Sequence, residues 1–161
     1  MEDKIKLLFV DDEEKFLDNI TARLRLREID VTAFTGGVEA LEVVKHGAKY
    51  DVALIDLKMP GMDGEELLNK LKEKDPSIEV VILTGHGSVK SAASLTRSGA
   101  YEYLLKPCEL DEIISAISKA YAKRIKAISE TKSDKVNQLM AKAIGYGPAE
   151  LLEALRKINN E

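Results

Sequence analysis

Apolar residues recur along this chain in two alternating rhythms: short unbroken runs rich in Val, Ile and Leu, then stretches with apolar positions three and four apart. The first rhythm suits a buried strand and the second an amphipathic helix. Ile5 to Val10 reads as a first strand, and the helix after it carries Phe16, Leu17, Ile20, Leu24 and Leu26 on its apolar side. Acids crowd that helix's first turn, where the helix dipole favours them. Val31, Ala33 and Phe34 alternate with polar neighbours as a second strand, Gly36-Gly37 breaks the chain, and Val38, Leu41 and Val44 mark a short helix. Tyr50 to Ile55 is the third strand. The helix that follows, with Leu67, Leu68 and Leu71 inward, stops at Asp75-Pro76 because proline disfavours a helical residue before it. Val80 to Leu83 forms a fourth strand, and Ser88 caps a helix carrying Val89, Ala92, Ala93 and Leu95 that Gly99 ends. Tyr101 to Leu105 is the fifth strand, and a last helix of the repeat begins near Glu109.

Five strand-helix pairs of this kind predict an α/β fold, a doubly wound parallel sheet with helices on both faces. Beyond it the stripe Ile113, Ile114, Ile117, Tyr121, Ile125 and Ile128 carries the last helix past the repeat. An overhanging apolar stripe needs a partner: a second copy, the domain itself, or an output module. The polar segment Ser129 to Asp134 suggests a break. Val136, Leu139, Met140, Ala143 and Ile144 then suggest another helix, ended by Gly145-Tyr146-Gly147. Pro148 fits the first turn of a final helix with Leu151, Leu152, Leu155 and Ile158 along one side. The expected division is residues 1–121 and a helical C-terminal extension over 122–161, serving self-association or partner docking.

Composition narrows the class. Of 161 residues, 45% are hydrophobic and 32% charged, which supplies both a core and a water-facing surface. A net charge of -4 argues against whole-molecule attraction to nucleic acid. The tail from Ala122 is locally basic, with eight Lys/Arg against five Asp/Glu. No segment approaches the roughly 20 apolar residues that span a bilayer. The N-terminus is too charged for a secretory signal, so a cytoplasmic protein without membrane contact is expected. The single cysteine, Cys108, rules out an intrachain disulfide and reads as a small filler. His46 reads as a solvent-facing helix-end residue.

The strand ends carry the chemistry. In open parallel sheets ligands bind outside the carboxyl ends of the strands. These ends hold Asp11 and Asp12, Asp56, Thr84 and Lys106. Three converging carboxylates repel one another unless a hard cation sits among them, and Mg2+ with oxygen ligands fits. A cation beside a lysine suits a phosphoryl group, whose transfer depends mainly on positioning and charge neutralisation. One carboxylate then acts as nucleophile. Asp56 is best placed, since the Met59-Pro60-Gly61 loop after it can turn a backbone carbonyl toward the metal.

These residues at these strand ends resemble the receiver domain of two-component response regulators from Ile5 to about Tyr121. The resemblance implies a flavodoxin-like (βα)5 fold of strand order 2-1-3-4-5. It implies transfer of a phosphoryl group from a sensor histidine kinase onto Asp56, the phosphoacceptor, with Mg2+ as cofactor. Asp12 becomes the direct metal ligand, Asp11 acts through water, and the Lys58 carbonyl completes the protein's share. Thr84 and Tyr103 match the switch pair, Lys106 the phosphate-binding lysine, and Lys106-Pro107 a bond that is characteristically cis. Phosphorylation would alter the face made by the fourth helix, fifth strand and fifth helix, a route to a homodimer alongside the extended last helix. The wording Leu83-Thr84-Gly85-His86-Gly87-Ser88 is closest to receivers of enhancer-dependent activators and related multi-domain regulators. Gly85 leaves the acceptor open to water, and His86 either positions that water or is a plain loop histidine.

Three other functions compete with a phosphorylation-controlled regulator that is no enzyme beyond its own phosphate chemistry. An aspartate-based phosphohydrolase normally places its nucleophile in DxD after the first strand, where this chain has Asp11-Asp12-Glu13. A DNA-binding transcriptional regulator would use the basic tail, which is short for a winged helix. A receiver-like scaffold would not need the complete site.

Overall fold

A computed structural model of the chain describes residues 3–85, 93, 97, 99–142 and 147–160. It divides into two compact units, Met1–Arg124 and Ile125–Glu161. The first contains strands β1 (Lys6–Val10), β2 (Asp30–Phe34), β3 (Val52–Ile55), β4 (Glu79–Thr84) and β5 (Glu102–Leu105). They form one sheet in the order β2-β1-β3-β4-β5, every neighbouring pair parallel. This is the doubly wound order expected from the sequence.

Side chains alternate across a strand, so one sheet supplies two cores. Leu7, Phe9, Leu54, Val81 and Leu83 face α1 (Glu14–Leu26) and the first turns of α4 (Leu110–Lys142) through Leu17, Leu24, Ile113 and Ile117. Leu8, Val10, Ile55, Val80 and Ile82 belong to the opposite cluster. There they meet α2 (Gly37–Lys45) and α3 (Gly64–Lys74) through Leu41, Leu67, Leu68 and Leu71. Because β3 and β4 are covered on both faces they read as continuous apolar runs. Most large side chains here are fully buried, and truncating one such Leu to Ala typically costs 2–5 kcal/mol or thereabouts, roughly half of a domain's stability.

Several local expectations change. Leu26 ends α1 in solvent, 83% exposed, and Val38 is 54% exposed, because each sits at a helix end where the sheet no longer covers it. Of the helix predicted after Ser88, Ala93 and Arg97 are helical and exposed, while Val89, Ala92 and Leu95 lie outside the described residues. Gly99 adopts φ +100°, left-handed backbone that glycine tolerates without strain.

The second unit corrects a larger expectation. No break occurs at Ser129–Asp134: α4 is continuous to Lys142. The Thr131 hydroxyl donates to the Ala127 carbonyl one turn back, 2.9 Å away. A polar side chain that returns its hydrogen bond to the i−4 carbonyl does not interrupt a helix. Gly147 is the N-cap of α5 (Pro148–Asn159), and Pro148 occupies its first turn, where the missing N–H costs nothing. Leu139 is buried, whereas Met140 and Leu152 are more than half exposed. No helix among the described residues is long and apolar enough to cross a membrane.

Candidate functional site

Parallel strands that start together deliver their C-terminal ends to one edge. Val10 pairs with Ile55, so Asp11 and Asp56 emerge side by side one residue later, and the Asp56 N–H donates to the Val10 carbonyl at 2.9 Å. Thr84 is the last residue of β4 and pairs with Leu105, which places Lys106 directly beyond it. The Lys106 N–H bonds the Thr84 carbonyl at 2.9 Å, and the Lys106–Pro107 peptide is cis.

Asp11, Asp12 and Asp56 each present a carboxylate oxygen within 4.8 Å of the others. Asp11 is fully buried, Asp56 is 3% exposed and Asp12 faces solvent. One Asp56 oxygen, Oδ1, is buried without a hydrogen-bond partner. An orphaned carboxylate oxygen among like charges is costly, and a cation relieves it. All donors are oxygens, which suits a hard divalent ion such as Mg2+ and serves softer metals poorly. The three carboxylates therefore fit the cofactor expected from the sequence.

Electrostatics follow the crowding. Burial pushes the Asp56 carboxyl above its ordinary value, and the Asp12 charge adds to the rise. The Thr84 hydroxyl, hydrogen-bonded to Asp56, and Lys106 pull only partly the other way. Burial also raises Asp11, although Lys106 Nζ donates to its Oδ2 at 2.7 Å and the Glu13 N–H to its Oδ1 at 2.9 Å. Burial opposes the Lys106 charge too, but the Asp11 bond and the surrounding carboxylates outweigh it and hold the ammonium above its usual value. The contact is asymmetric: the lysine meets only opposite charges, whereas Asp11 also meets Asp56.

The loop after Asp56 is pinned rather than free. Leu57 and Met59 are buried in the α2/α3 core, and the Gly64 N–H bonds the Leu57 carbonyl at 2.8 Å. A Cβ on Gly64 would strike the Asp56 carbonyl and lie 2.8 Å from Leu57 Cα, so only glycine allows α3 to start this close. Asp63 caps that start through Glu66 N–H. Lys58 is exposed in this loop. Tyr103 is half-buried against the same core, which raises its hydroxyl pKa. Gly85 opens on free space: an added Cβ meets nothing within 4 Å. His86 lies outside the described residues. Outside this edge, His46 is an exposed C-cap of α2. Cys108 donates to Glu112 Oε2 at 3.2 Å, and burial together with that carboxylate holds the thiol up at about 11. A thiol held protonated in this way is a weak nucleophile at neutral pH.

Sequence reading missed what surrounds Lys106. Glu13 Oε1 stands 3.5 Å from its Nζ, and the ammonium lies 4.2 Å from the centre of the Phe16 ring. The three-residue spacing between Glu13, at the cap of α1, and Phe16 in its first turn was visible, but Phe16 reads equally well as core.

Comparison with known proteins agrees with this geometry. The family description "Response regulator receiver domain" matches residues 7–118. The DNA-binding transcriptional regulator NtrC of Klebsiella pneumoniae is 31% identical over 140 residues, 87% of this chain but 29% of that protein. The transcriptional regulatory protein ZraR of Escherichia coli is 33% identical over 91% of this chain and 33% of its own length. The chain thus spans about a third of the curated relatives it matches. A response regulator receiver domain protein from Clostridium thermocellum superposes with a TM-score of 0.72 at 32% identity, over 76% of this chain and 98% of that one. With the sheet order, the acidic edge and the family match in agreement, the chain belongs to the response regulator receiver domain family of two-component signalling.

Proposed function

We propose that Asp56 is the phosphoacceptor and takes its phosphoryl group from the phosphohistidine of a sensor histidine kinase. The observation that carries this is the Asp56 carboxylate itself: 3% exposed, one oxygen unpartnered, and set among Asp11, Asp12 and Lys106. An Asp56 oxygen forms the new P–O bond as the P–N bond of the donor breaks, the electron pair returning to the imidazole nitrogen. Asp11, Asp12, Asp56 and the Lys58 carbonyl would hold Mg2+, which would supply neutralising charge for the phosphoryl oxygens. Lys106 pairs with one of those oxygens. The Thr84 hydroxyl, bonded to Asp56 at rest, turns to the phosphoryl group, and Tyr103 follows into the space beside it. The face that the sequence assigns to the fourth helix, with β5 and α4, is thereby biased between two states.

The protein is a regulator whose chemistry is confined to its own phosphorylation and dephosphorylation, acting in the cytoplasm through a downstream protein or a second copy. Homodimerisation uses either that face or the C-terminal helices of the 122–161 extension. A second reading is favoured by the relatives: NtrC and ZraR are named as transcriptional regulators, NtrC as DNA-binding. This chain then forms part of a regulator whose output is DNA.

The test is treatment with acetyl phosphate and Mg2+, followed by intact mass and size exclusion on wild type and Asp56→Asn. One added phosphate on wild type alone supports the reading. Phosphate on both proteins moves the acceptor elsewhere, and phosphate on neither removes the proposal. Salt-dependent, sequence-selective DNA binding would select the second reading.

A further inference from the structure

Lysine reaches its target on a flexible four-carbon stem, so something must hold its ammonium where it is needed. At rest three groups surround Lys106 Nζ: Asp11 Oδ2 at 2.7 Å, Glu13 Oε1 at 3.5 Å and the Phe16 ring centre at 4.2 Å. They are unequal anchors. The Glu13 side chain is 61% exposed, so water screens its pull. Asp11 is also one of three carboxylates that converge as an oxygen-donor set, so its hold on the lysine competes with any cation bound there. The ring does not compete for either partner. It is also held in place: Phe16 packs edge-on against the fully buried Phe9, centroids 6.3 Å apart at 77°, and sits on the α1-side core.

We infer that Phe16 is a positioning residue for Lys106, its ring face holding the ammonium at the strand ends while Asp11 is engaged elsewhere. This deepens, and rests on, the reading of Lys106 as the phosphate-binding lysine. The ring's quadrupole attracts a cation lying over its face, more strongly where water is largely excluded, and the Lys106 side chain is only 12% exposed. An aliphatic residue of similar bulk fills the space but offers no such face.

Four variants test this by the rate of acetyl phosphate labelling with Mg2+, followed by intact mass: Phe16→Leu, Phe16→Tyr, Lys106→Met and the Phe16→Leu/Lys106→Met double. Phe16→Leu is expected to label about fivefold more slowly, the equivalent of a cation–π contact near 1 kcal/mol. Phe16→Tyr keeps the face and the wild-type rate. In the Lys106→Met background the leucine substitution has no further effect. In the unphosphorylated protein, NMR gives an independent readout: the Lys106 methylene protons nearest the ammonium are shifted upfield by the ring, and Phe16→Leu abolishes the shift. A leucine variant as fast as wild type, a tyrosine variant as slow as leucine, or an undiminished loss in the Lys106→Met background overturns the inference alone. Wild type that takes no phosphate, or Asp56→Asn that takes it equally, overturns the phosphoacceptor reading and this one together.

Discussion

Arg124 Nη1 lies 3.0 Å from Asp75 Oδ2, an ion pair that ties α4 to the residue capping the end of α3. The same nitrogen donates to Ser77 Oγ at 2.7 Å, and Nε stands 3.2 Å from Asp51 Oδ1. Asp51 in turn accepts the Lys6 N–H at 2.9 Å. One guanidinium thus joins the starts of β1 and β3, the end of α3 and the approach to β4 at the edge opposite the acidic site. Removing a mostly buried partner from such a cluster leaves Asp51 and Asp75 without their shared cation. Arg124→Ala is expected to lower stability by about 2 kcal/mol, seen as a lower urea midpoint with unchanged slope. Arg124→Lys should recover only part of it, because a single ammonium cannot reach both carboxylates in fork geometry. A midpoint equal to wild type would show the cluster to be energetically idle.

Acid should dissolve the same cluster. Partial burial works to raise the Asp75 carboxyl, but the Ser77 hydrogen bond and the Arg124 guanidinium outweigh it and hold the group below its ordinary 3.8. A depressed folded value means a contribution that is complete above the unfolded pKa and lost as pH falls through the folded one. Asp75→Asn should therefore be less stable than wild type at pH 7, and the gap should close as pH falls below about 3.8. Urea midpoints of the pair between pH 7 and 3 check this; a constant gap would assign the effect to packing instead.

Why the Arg124 cluster escaped the sequence while the acidic edge did not is a matter of range. Asp11, Asp56 and Lys106 each follow a strand and Thr84 ends one, so strand periodicity alone carries them to one edge. Arg124 and Asp75 are 49 residues apart, and nothing in either local pattern says that the middle of α4 meets the end of α3. The same distinction explains Ser129–Asp134. Its polarity resembles a break, but polar residues on a helix with solvent around it need only return their hydrogen bonds, as Thr131 does. Leu26 shows the converse: its spacing fits the apolar stripe, yet the stripe outlasts the sheet beneath it.

The acidic edge carries a stability cost when it holds no cation. Asp56 Oδ1 is buried without a partner, and burial and Asp12 both raise the carboxyl's pKa, so its charge works against folding at neutral pH. Asp56→Asn keeps the shape and removes the charge. With chelator at pH 7 the variant should be more stable than wild type by about 1 kcal/mol. Mg2+ should then stabilise wild type by about 1.4 kcal/mol at tenfold over its dissociation constant, seen as a higher urea midpoint, and move the variant far less. A variant less stable than wild type under chelation would mean that the carboxylate is better compensated than its geometry indicates.

Gly85 offers open space beside the proposed acceptor. An added Cβ there meets nothing within 4 Å, and the residue is exposed immediately after Thr84, whose hydroxyl bonds Asp56. A large side chain can therefore be introduced without steric conflict at its root, and it would shield the side of the proposed acceptor next to Thr84. Gly85→Tyr is expected to lengthen the lifetime of the phosphoryl group several-fold while leaving the fold and the final extent of labelling unchanged. The measurement is loss of the phosphate mass after the phosphodonor is removed, with and without chelator. An unchanged lifetime would place the water's route elsewhere on the acidic edge, on the side of Asp12, the one exposed carboxylate of the three. A substitution narrowing that side, Gly36→Val beside the pocket that Asp12, Glu14 and Glu39 line, would then be the one to slow hydrolysis.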